Sequence, residues 1–151
     1  MLYREITPED IPALFKVRTK TDQNNFTMDD LLALGINHDS VRDKLTTSYK
    51  GWLCEIEGRV VGFTMGDRET GELWVIAVLP EYIRMGIGGR LLALTEKWLF
   101  SEGCERLWLT TDIDTEIRAY SFYLKNGWLD DKIEDGLRYM YKERRGLVVE
   151  S

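Results

Sequence analysis

The chain is poor in the residues that build covalent or metal frameworks. It carries two cysteines, Cys54 and Cys104, and one histidine, His38, in 151 residues. Two cysteines in a chain of this length do not make a disulfide framework. One histidine with two separated cysteines argues against a structural zinc site, and no metal is expected. Long apolar runs are absent: none approaches the ~20 residues of a membrane span. The start, Met1-Leu2-Tyr3-Arg4-Glu5, lacks the basic stretch followed by an apolar one that marks a signal peptide. Reduced thiols and the absence of these signals point to the cytoplasm, away from any membrane. Basic runs are absent too, and the net charge is −6. Nucleic acid is therefore not an expected partner, because phosphate-backbone affinity needs clustered Lys and Arg. An acidic protein leans instead toward cationic substrates. What is present is core-forming material: 44% apolar residues, five Trp and seven Tyr. That excludes global disorder and fits one domain spanning 1–151 with a frayed tail from 144.

The first part of the chain has no strand period beyond residues 2–6. Thr7-Pro8-Glu9-Asp10 is a helix start, with Thr as cap, Pro in the first turn and acids following. Ile11, Leu14, Phe15 and Arg18 share one face of the helix that continues to Thr19. A polar loop containing Asn24, Asn25 and Phe26 leads to a short helix over 31–34, stopped by Gly35, and a third helical segment spans 40–49. From Gly51 the pattern changes. Strands at 52–56 and 60–65 flank Glu57-Gly58-Arg59, and Arg68-Glu69-Thr70-Gly71 turns into the next strand. Short turns impose an antiparallel meander. A helix over 115–125, closed by Asn126-Gly127, precedes a hairpin of 128–133 and 137–141 around Glu134-Asp135-Gly136. His38 is read as a surface or cap residue.

Residues 71–100 organise the rest. Val75-Ile76-Ala77-Val78-Leu79 reads as a strand buried on both faces, and Pro80 ends it. Gly86-Ile87-Gly88-Gly89 follows, and from Arg90 the apolar residues Leu91, Leu92, Thr95, Trp98 and Leu99 share a helical face. With the strand at 106–111, this makes a βαβ unit and a parallel strand pair. A glycine turn feeding a helix leaves backbone N–H groups unpaired, and these favour an anion, most often a phosphate. Alternatively, the glycines only let the helix pack on the sheet. A Rossmann fingerprint fails at Leu91, where it requires Gly or Ala, and the Lys-Ser/Thr of a P-loop is missing.

Two segments carry a more specific resemblance. Val78-Leu79-Pro80-Glu81-Tyr82 followed by Gly86-Ile87-Gly88 resembles the acetyl-CoA motif of the GNAT family of N-acetyltransferases. Arg118-Ala119-Tyr120-Ser121-Phe122-Tyr123-Leu124-Lys125-Asn126-Gly127-Trp128 resembles that family's second motif, in which Phe-Tyr leads to Gly-Phe or Gly-Trp. The order of strands and helices matches the family over nearly the whole chain. Two positions depart from it. Ile83 stands where the first motif has Arg or Gln, with Arg84 one place later, and Glu116 stands where the second motif usually has Asn.

The resemblance implies an α/β fold with a mixed, mostly antiparallel sheet, a central parallel pair and flanking helices. It implies acetyl-CoA as co-substrate and a primary amine on a small molecule, peptide or protein as acceptor. A homodimer is common in the family. The cofactor contacts it implies fall on the strand at Ile76, Ala77 and Val78, and on the turn at Arg84, Met85, Gly86, Ile87, Gly88, Gly89 and Arg90. Further contacts fall at Glu116, Ala119 and Tyr123. A protonated amine must lose its proton before it attacks a thioester. Glu72 stands where some family members carry the base, although a strand-end acid is the plainer reading. A backbone N–H near Val78 donates to the carbonyl oxygen, and Tyr123 matches the tyrosine that protonates the thiolate; the plainer reading of Tyr123 is a core residue. No Cys-His pair suggests an acyl-enzyme, which favours direct attack. Phe26, Trp74 and Trp128 are candidates for lining the acceptor pocket, and Asp29 and Asp30 for attracting a cation. The rival reading is a non-catalytic acyl-CoA-binding or regulatory module of the same fold, and a third is an unrelated α/β nucleotide binder.

Overall fold

The computed structural model describes residues 1–21 and 27–144. Along the chain come β1 (Leu2–Glu5), α1 (Ile11–Thr19), α2 (Met28–Ala33), α3 (His38–Thr46), β2 (Tyr49–Ile56), β3 (Arg59–Asp67) and β4 (Glu72–Val78). They are followed by α4 (Ile87–Ser101), β5 (Arg106–Asp112), α5 (Arg118–Lys125), β6 (Leu129–Glu134) and β7 (Leu137–Glu143). All strands form one sheet in the order β1-β2-β3-β4-β5-β7-β6. Every neighbouring pair is antiparallel except β4 and β5, which run parallel. The expected α/β architecture with its central parallel pair is what the chain adopts.

The hairpins follow the turn chemistry. Glu57 and Gly58 have φ of 52° and 78°, and Asp135 and Gly136 have 53° and 78°, the left-handed pairs that twist two strands together. Gly127, at φ 89°, stops α5: its N–H bonds to the Leu124 carbonyl and that of Trp128 to the Tyr123 carbonyl. Several boundaries differ from the sequence expectation, α2 starting at Met28 instead of Leu31 and α3 at His38 instead of Ser40 among them. The third helix ends at Thr46, and Tyr49 already belongs to β2, where Gly51 lies so close to β3 that a Cβ would meet the Thr64 carbonyl oxygen. Helix α5 starts at Arg118 instead of Thr115. The Asp112 and Asp114 side chains accept from the N–H groups of Asp114 and Glu116 at 2.8 and 2.9 Å, holding that stretch as a turn. Helix α4 starts at Ile87, earlier than Arg90, because Gly86 at φ 80° turns the chain directly into it.

Strand β4 carries a bulge. Met65 pairs with Val75 and Gly66 with Leu73, so Trp74 is the extra residue. The bulge reverses the alternation along the strand. Trp74 and Val75 both line the pocket on the α1 side, whereas Leu73 packs with Leu92 and Leu99 of α4. The apolar residues form two cores. One joins α1, α2 and α3 to β2, β3 and β4 through residues such as Leu14, Leu31, Val41, Leu53, Phe63 and Ala77. The other joins Leu99 of α4, Leu107 and Leu109 of β5, Tyr123, Trp128 and Met140. Ile76 packs against both, and the division between them falls at the parallel pair.

Candidate active site

The parallel ladder is short. β4 and β5 are in register only at Glu72 and Trp108, so the two strands part beyond that point. The Leu79 N–H donates to the Val61 carbonyl at 2.8 Å, in line with the pairing of Val78 with Gly62 and Ala77 with Phe63. By strand alternation, Val75, Ala77 and Leu79 turn their peptide groups to β3, and Ile76 and Val78 turn theirs toward β5. Those amides therefore face a gap, at the carboxyl ends of parallel strands, where open α/β sheets hold ligands. Of the three strand residues, Ala77 offers no amide to the gap.

The amino terminus of α4 closes one end of this gap. α2 and α3 are capped by Thr27 with Asp30 and by Asn37 with Ser40. No side chain caps α4, and no acidic residue stands in its first turn. Its first N–H groups are open donors at the positive end of a 15-residue helix. The surroundings of the glycines show which of them packing requires. A Cβ on Gly86 or Gly89 would meet nothing within 4 Å, and one on Gly88 would reach only ordinary contact, 3.4 Å from Phe122 and 3.9 Å from Val78. The glycines that let α4 sit against the sheet are on β3. A Cβ on Gly66 would lie 2.9 Å from Thr95, and one on Gly62 3.3 Å from Ile87. Packing does not require the turn's glycines at 88 and 89, and Gly86 is required by its φ. The open space and donors suit a pyrophosphate.

Charge at the turn comes from Arg84. It is exposed, forms no ion pair among the described residues and has φ 73° in a strand-to-helix turn, a conformation non-glycine residues usually avoid. Arg90 is differently placed: its guanidinium lies over the Tyr3 ring, 5.6 Å from the centroid. Ile83 is extended behind a 3-10 turn at Pro80–Tyr82. Met85 is exposed beside Gly86, Glu116 is exposed in the turn before α5, and Ala119 is half-buried on that helix.

Tyr123 sits on α5 with its ring against Phe122 and Trp128 at 5.4 and 6.1 Å. It is 8% exposed, and burial pushes its phenol well above the usual range, opposed by the positive charge of Arg18. Glu72, half-buried at the start of β4, has its carboxyl pushed up by burial and by Asp67, while Lys44 pulls it down. Trp74 lines a pocket on the α1 side, together with Leu14, Phe15, Arg18, Phe63, Met65 and Val75. Trp128 is placed elsewhere. It is fully enclosed in the second core and donates its indole N–H to Glu96 at 2.8 Å, a packing position without access to the pocket. Asp30 is engaged in capping α2, where it accepts from the Thr27 N–H at 2.9 Å. Phe26 lies outside the described residues.

The sequence reading missed Arg18 and the pair Lys44 and Tyr49. Arg18 had a signal, since it falls on the apolar stripe of α1, where a charge needs a reason. Its guanidinium is buried enough for its pKa to be lowered, and it lines the pocket. Lys44 and Tyr49 come together only through the turn between α3 and β2, which no periodicity announces. No group of His, Cys, Asp and Glu among the described residues can hold a metal. No helix among them is long and apolar enough to cross a membrane.

The pattern of the Acetyltransferase (GNAT) family matches residues 11–128. An acetyltransferase of Photorhabdus laumondii is 34% identical over 95 residues, which cover 60% of this chain and 66% of that protein. The chain thus spans just under two thirds of the length of that relative. Among solved structures, the PaiA N-acetyltransferase of Thermoplasma acidophilum in complex with coenzyme A superposes with a TM-score of 0.82 at 18% identity, covering 95% of this chain and all of that one. An aminoglycoside 6'-N-acetyltransferase complexed with coenzyme A gives 0.74 at 18% identity, covering 95% and 97%. With an open helix terminus and a strand gap where the family's two motifs meet, the chain belongs to the GNAT family of acetyltransferases.

Proposed function

We propose that this chain is an N-acetyltransferase that moves the acetyl group of acetyl-CoA to a primary amine by direct attack. The observation that carries the reading is the gap between β4 and β5. It has the Ile76 and Val78 amides on its edge, the open amino terminus of α4 at one end and Glu72 at the other. Acetyl-CoA supplies a thioester, activated toward nitrogen nucleophiles. The N–H groups of Ile87, Gly88 and Gly89, with Arg84, hold its pyrophosphate. The Ile76 and Val78 amides orient the extended arm and polarise the carbonyl. Ala119 and Glu116 are assigned as further cofactor contacts on the strength of the motif that contains them.

Glu72 takes the proton of the acceptor ammonium, directly or through a water. Its raised carboxyl pKa brings it nearer to that task than an exposed carboxylate. Burial keeps Tyr123 protonated at neutral pH, so its hydroxyl can donate a hydrogen bond to the sulfur as the C–S bond breaks, and a thiolate of pKa ~8.5 can leave stabilised by that bond without full transfer of the phenol proton. One domain spanning the chain, in the cytoplasm where acetyl-CoA is made and used, accommodates this reading.

A second reading, an acyl-CoA-binding module without turnover, draws on the enclosure of the Tyr123 ring and on Ile83 and Glu116. The two separate by assaying free thiol released from acetyl-CoA across a panel of primary amines. Amine-dependent release, lost in Tyr123→Phe, supports transfer. Acetyl-CoA binding with no release on any amine supports the module.

A further inference from the structure

Lys44, on α3, points its ammonium at two ring faces. Nζ lies 4.5 Å from the Tyr49 centroid and 4.9 Å from that of Trp74. The two rings meet edge to face, with centroids 5.7 Å apart and planes at 77°. Tyr49, Asp67 and Glu72 are register partners across β2, β3 and β4, so two carboxylates stand on the same face as Tyr49, Asp67 also accepting from the Glu69 N–H at 3.0 Å and the Thr70 hydroxyl at 3.1 Å. Lys44 makes no ion pair with them among the described residues; its charge is held by the ring faces. Burial, and after it the charges of Asp67 and Glu72, push the Tyr49 phenol up to about 12. The arrangement depends on the β4 bulge, which turns Trp74 to this side. Trp74 is also a wall of the apolar pocket that Leu14, Ile36 and Val41 line, and Glu72 is the candidate base.

We propose that Tyr49 and Trp74, backed by Asp67 and Glu72, form the acceptor's ammonium subsite, and that Lys44 is an internal stand-in holding it until an acceptor arrives. The inference rests on the acetyltransferase reading for its biological sense, but the site stands on its own geometry. An ammonium against aromatic faces is a recognised cation site, strengthened where water is partly excluded. The occupant defines the class: a primary ammonium on an unbranched aliphatic stem, as on a lysine side chain or a simple alkylamine. The stem would lie along the apolar pocket. Because Lys44 must leave first, the apparent affinity for an acceptor is reduced by the fraction of time the subsite is open. Two cations cannot share the same ring faces, so displacement is required.

The test is a titration of the full chain with n-butylammonium chloride, followed through the indole N–H resonance of Trp74 and with n-butanol as the uncharged control. The subsite predicts a saturable shift of that resonance with butylammonium and none with butanol. Lys44→Met should tighten binding by about tenfold, because the stand-in is gone. Trp74→Leu should weaken it by about tenfold, followed through the protein's other resonances, and Trp74→Phe, which keeps a ring face, should restore most of it. No shift with butylammonium, or weaker binding in Lys44→Met, overturns the proposal. A parallel assay of thiol release from acetyl-CoA with n-butylamine keeps the two claims apart. Binding without release supports the subsite and counts against transfer. Release that is indifferent to Lys44→Met and Trp74→Leu overturns the subsite and leaves transfer intact.

Discussion

Glu72 on β4 and Trp108 on β5 form the single register pair of the parallel ladder, and everything beyond them on those strands diverges. One pair is enough to join the halves of the sheet, because the Trp108 N–H also bonds to the Gly71 carbonyl at 3.1 Å and its indole N–H to the Thr70 carbonyl at 3.0 Å. The candidate base thus stands at the hinge of the gap, with the Ile76 and Val78 amides further along its edge.

This position gives Glu72 a testable pH signature. Its carboxyl is raised by burial and Asp67, so the base form is lost as pH falls through a value above the ordinary carboxylate range. kcat/KM should rise with pH through that value, and Glu72→Gln should lose this limb and fall by about 10²-fold or more. Stability carries the opposite sign. A folded-state pKa above the unfolded one means the native state binds the proton more tightly, so ionisation of Glu72 weakens the fold as pH rises through that window. Glu72→Gln should therefore be as stable as the parent at neutral pH, or more so, which chemical denaturation at pH 7 will show.

The glycines of the α4 turn and of β3 should behave in opposite ways. Gly89→Ala has open space at its Cβ and replaces a helical glycine, so it should stabilise by about 0.5–1 kcal/mol. The added methyl stands where the pyrophosphate reading puts the ligand, so acetyl-CoA affinity should fall about tenfold. Gly66→Ala meets Thr95 at 2.9 Å and the Glu72 carbonyl oxygen at 3.2 Å, and should cost about 2 kcal/mol or more. Thermal melts with and without acetyl-CoA measure both quantities together.

A structural clip ties α4 to the segment after Tyr123. Glu96 accepts from the Trp128 indole at 2.8 Å and from Lys142 Nζ at 2.8 Å, and Lys142 also donates to the Asn126 carbonyl at 2.8 Å. Glu96→Ala leaves a fully buried indole N–H without its acceptor and a half-buried ammonium with only the Asn126 carbonyl. It should cost about 2 kcal/mol, read as a lower denaturant midpoint with unchanged slope. Glu96→Gln, which keeps an oxygen for Trp128, should cost less.

How much of this was legible in the sequence differs from element to element. Hairpins written as Glu57-Gly58 and Asp135-Gly136, and the stop at Asn126-Gly127, are local chemistry, and they stand where the residues put them. The strand, glycine turn and helix from 72 to 101 are nearly as plain, because the apolar run, the turn and the helical period agree, although the helix starts at Ile87, before Arg90. The bulge at Trp74 is not legible. A continuous apolar run gives no sign that alternation reverses, yet that reversal carries Trp74 to the pocket. Trp128 misleads for the same reason: a tryptophan after a motif can line a pocket or fill a core, and only Glu96, 32 positions earlier, decides which. Arg18 was half-legible, as a charge on an apolar stripe whose surroundings come from distant strands.

Tyr123 is the residue on which the account turns, and its conservative replacement gives the most direct measurement. Free thiol released from acetyl-CoA is followed with a panel of primary alkylamines, for the parent chain and for Tyr123→Phe matched in folded state by circular dichroism. The parent should release thiol in an amine-dependent way, and Tyr123→Phe should fall in kcat by about 10²-fold or more with acetyl-CoA affinity little changed. Equal turnover by the two proteins would contradict the role of Tyr123. Acetyl-CoA binding by the parent with no release on any amine would contradict acetyl transfer itself.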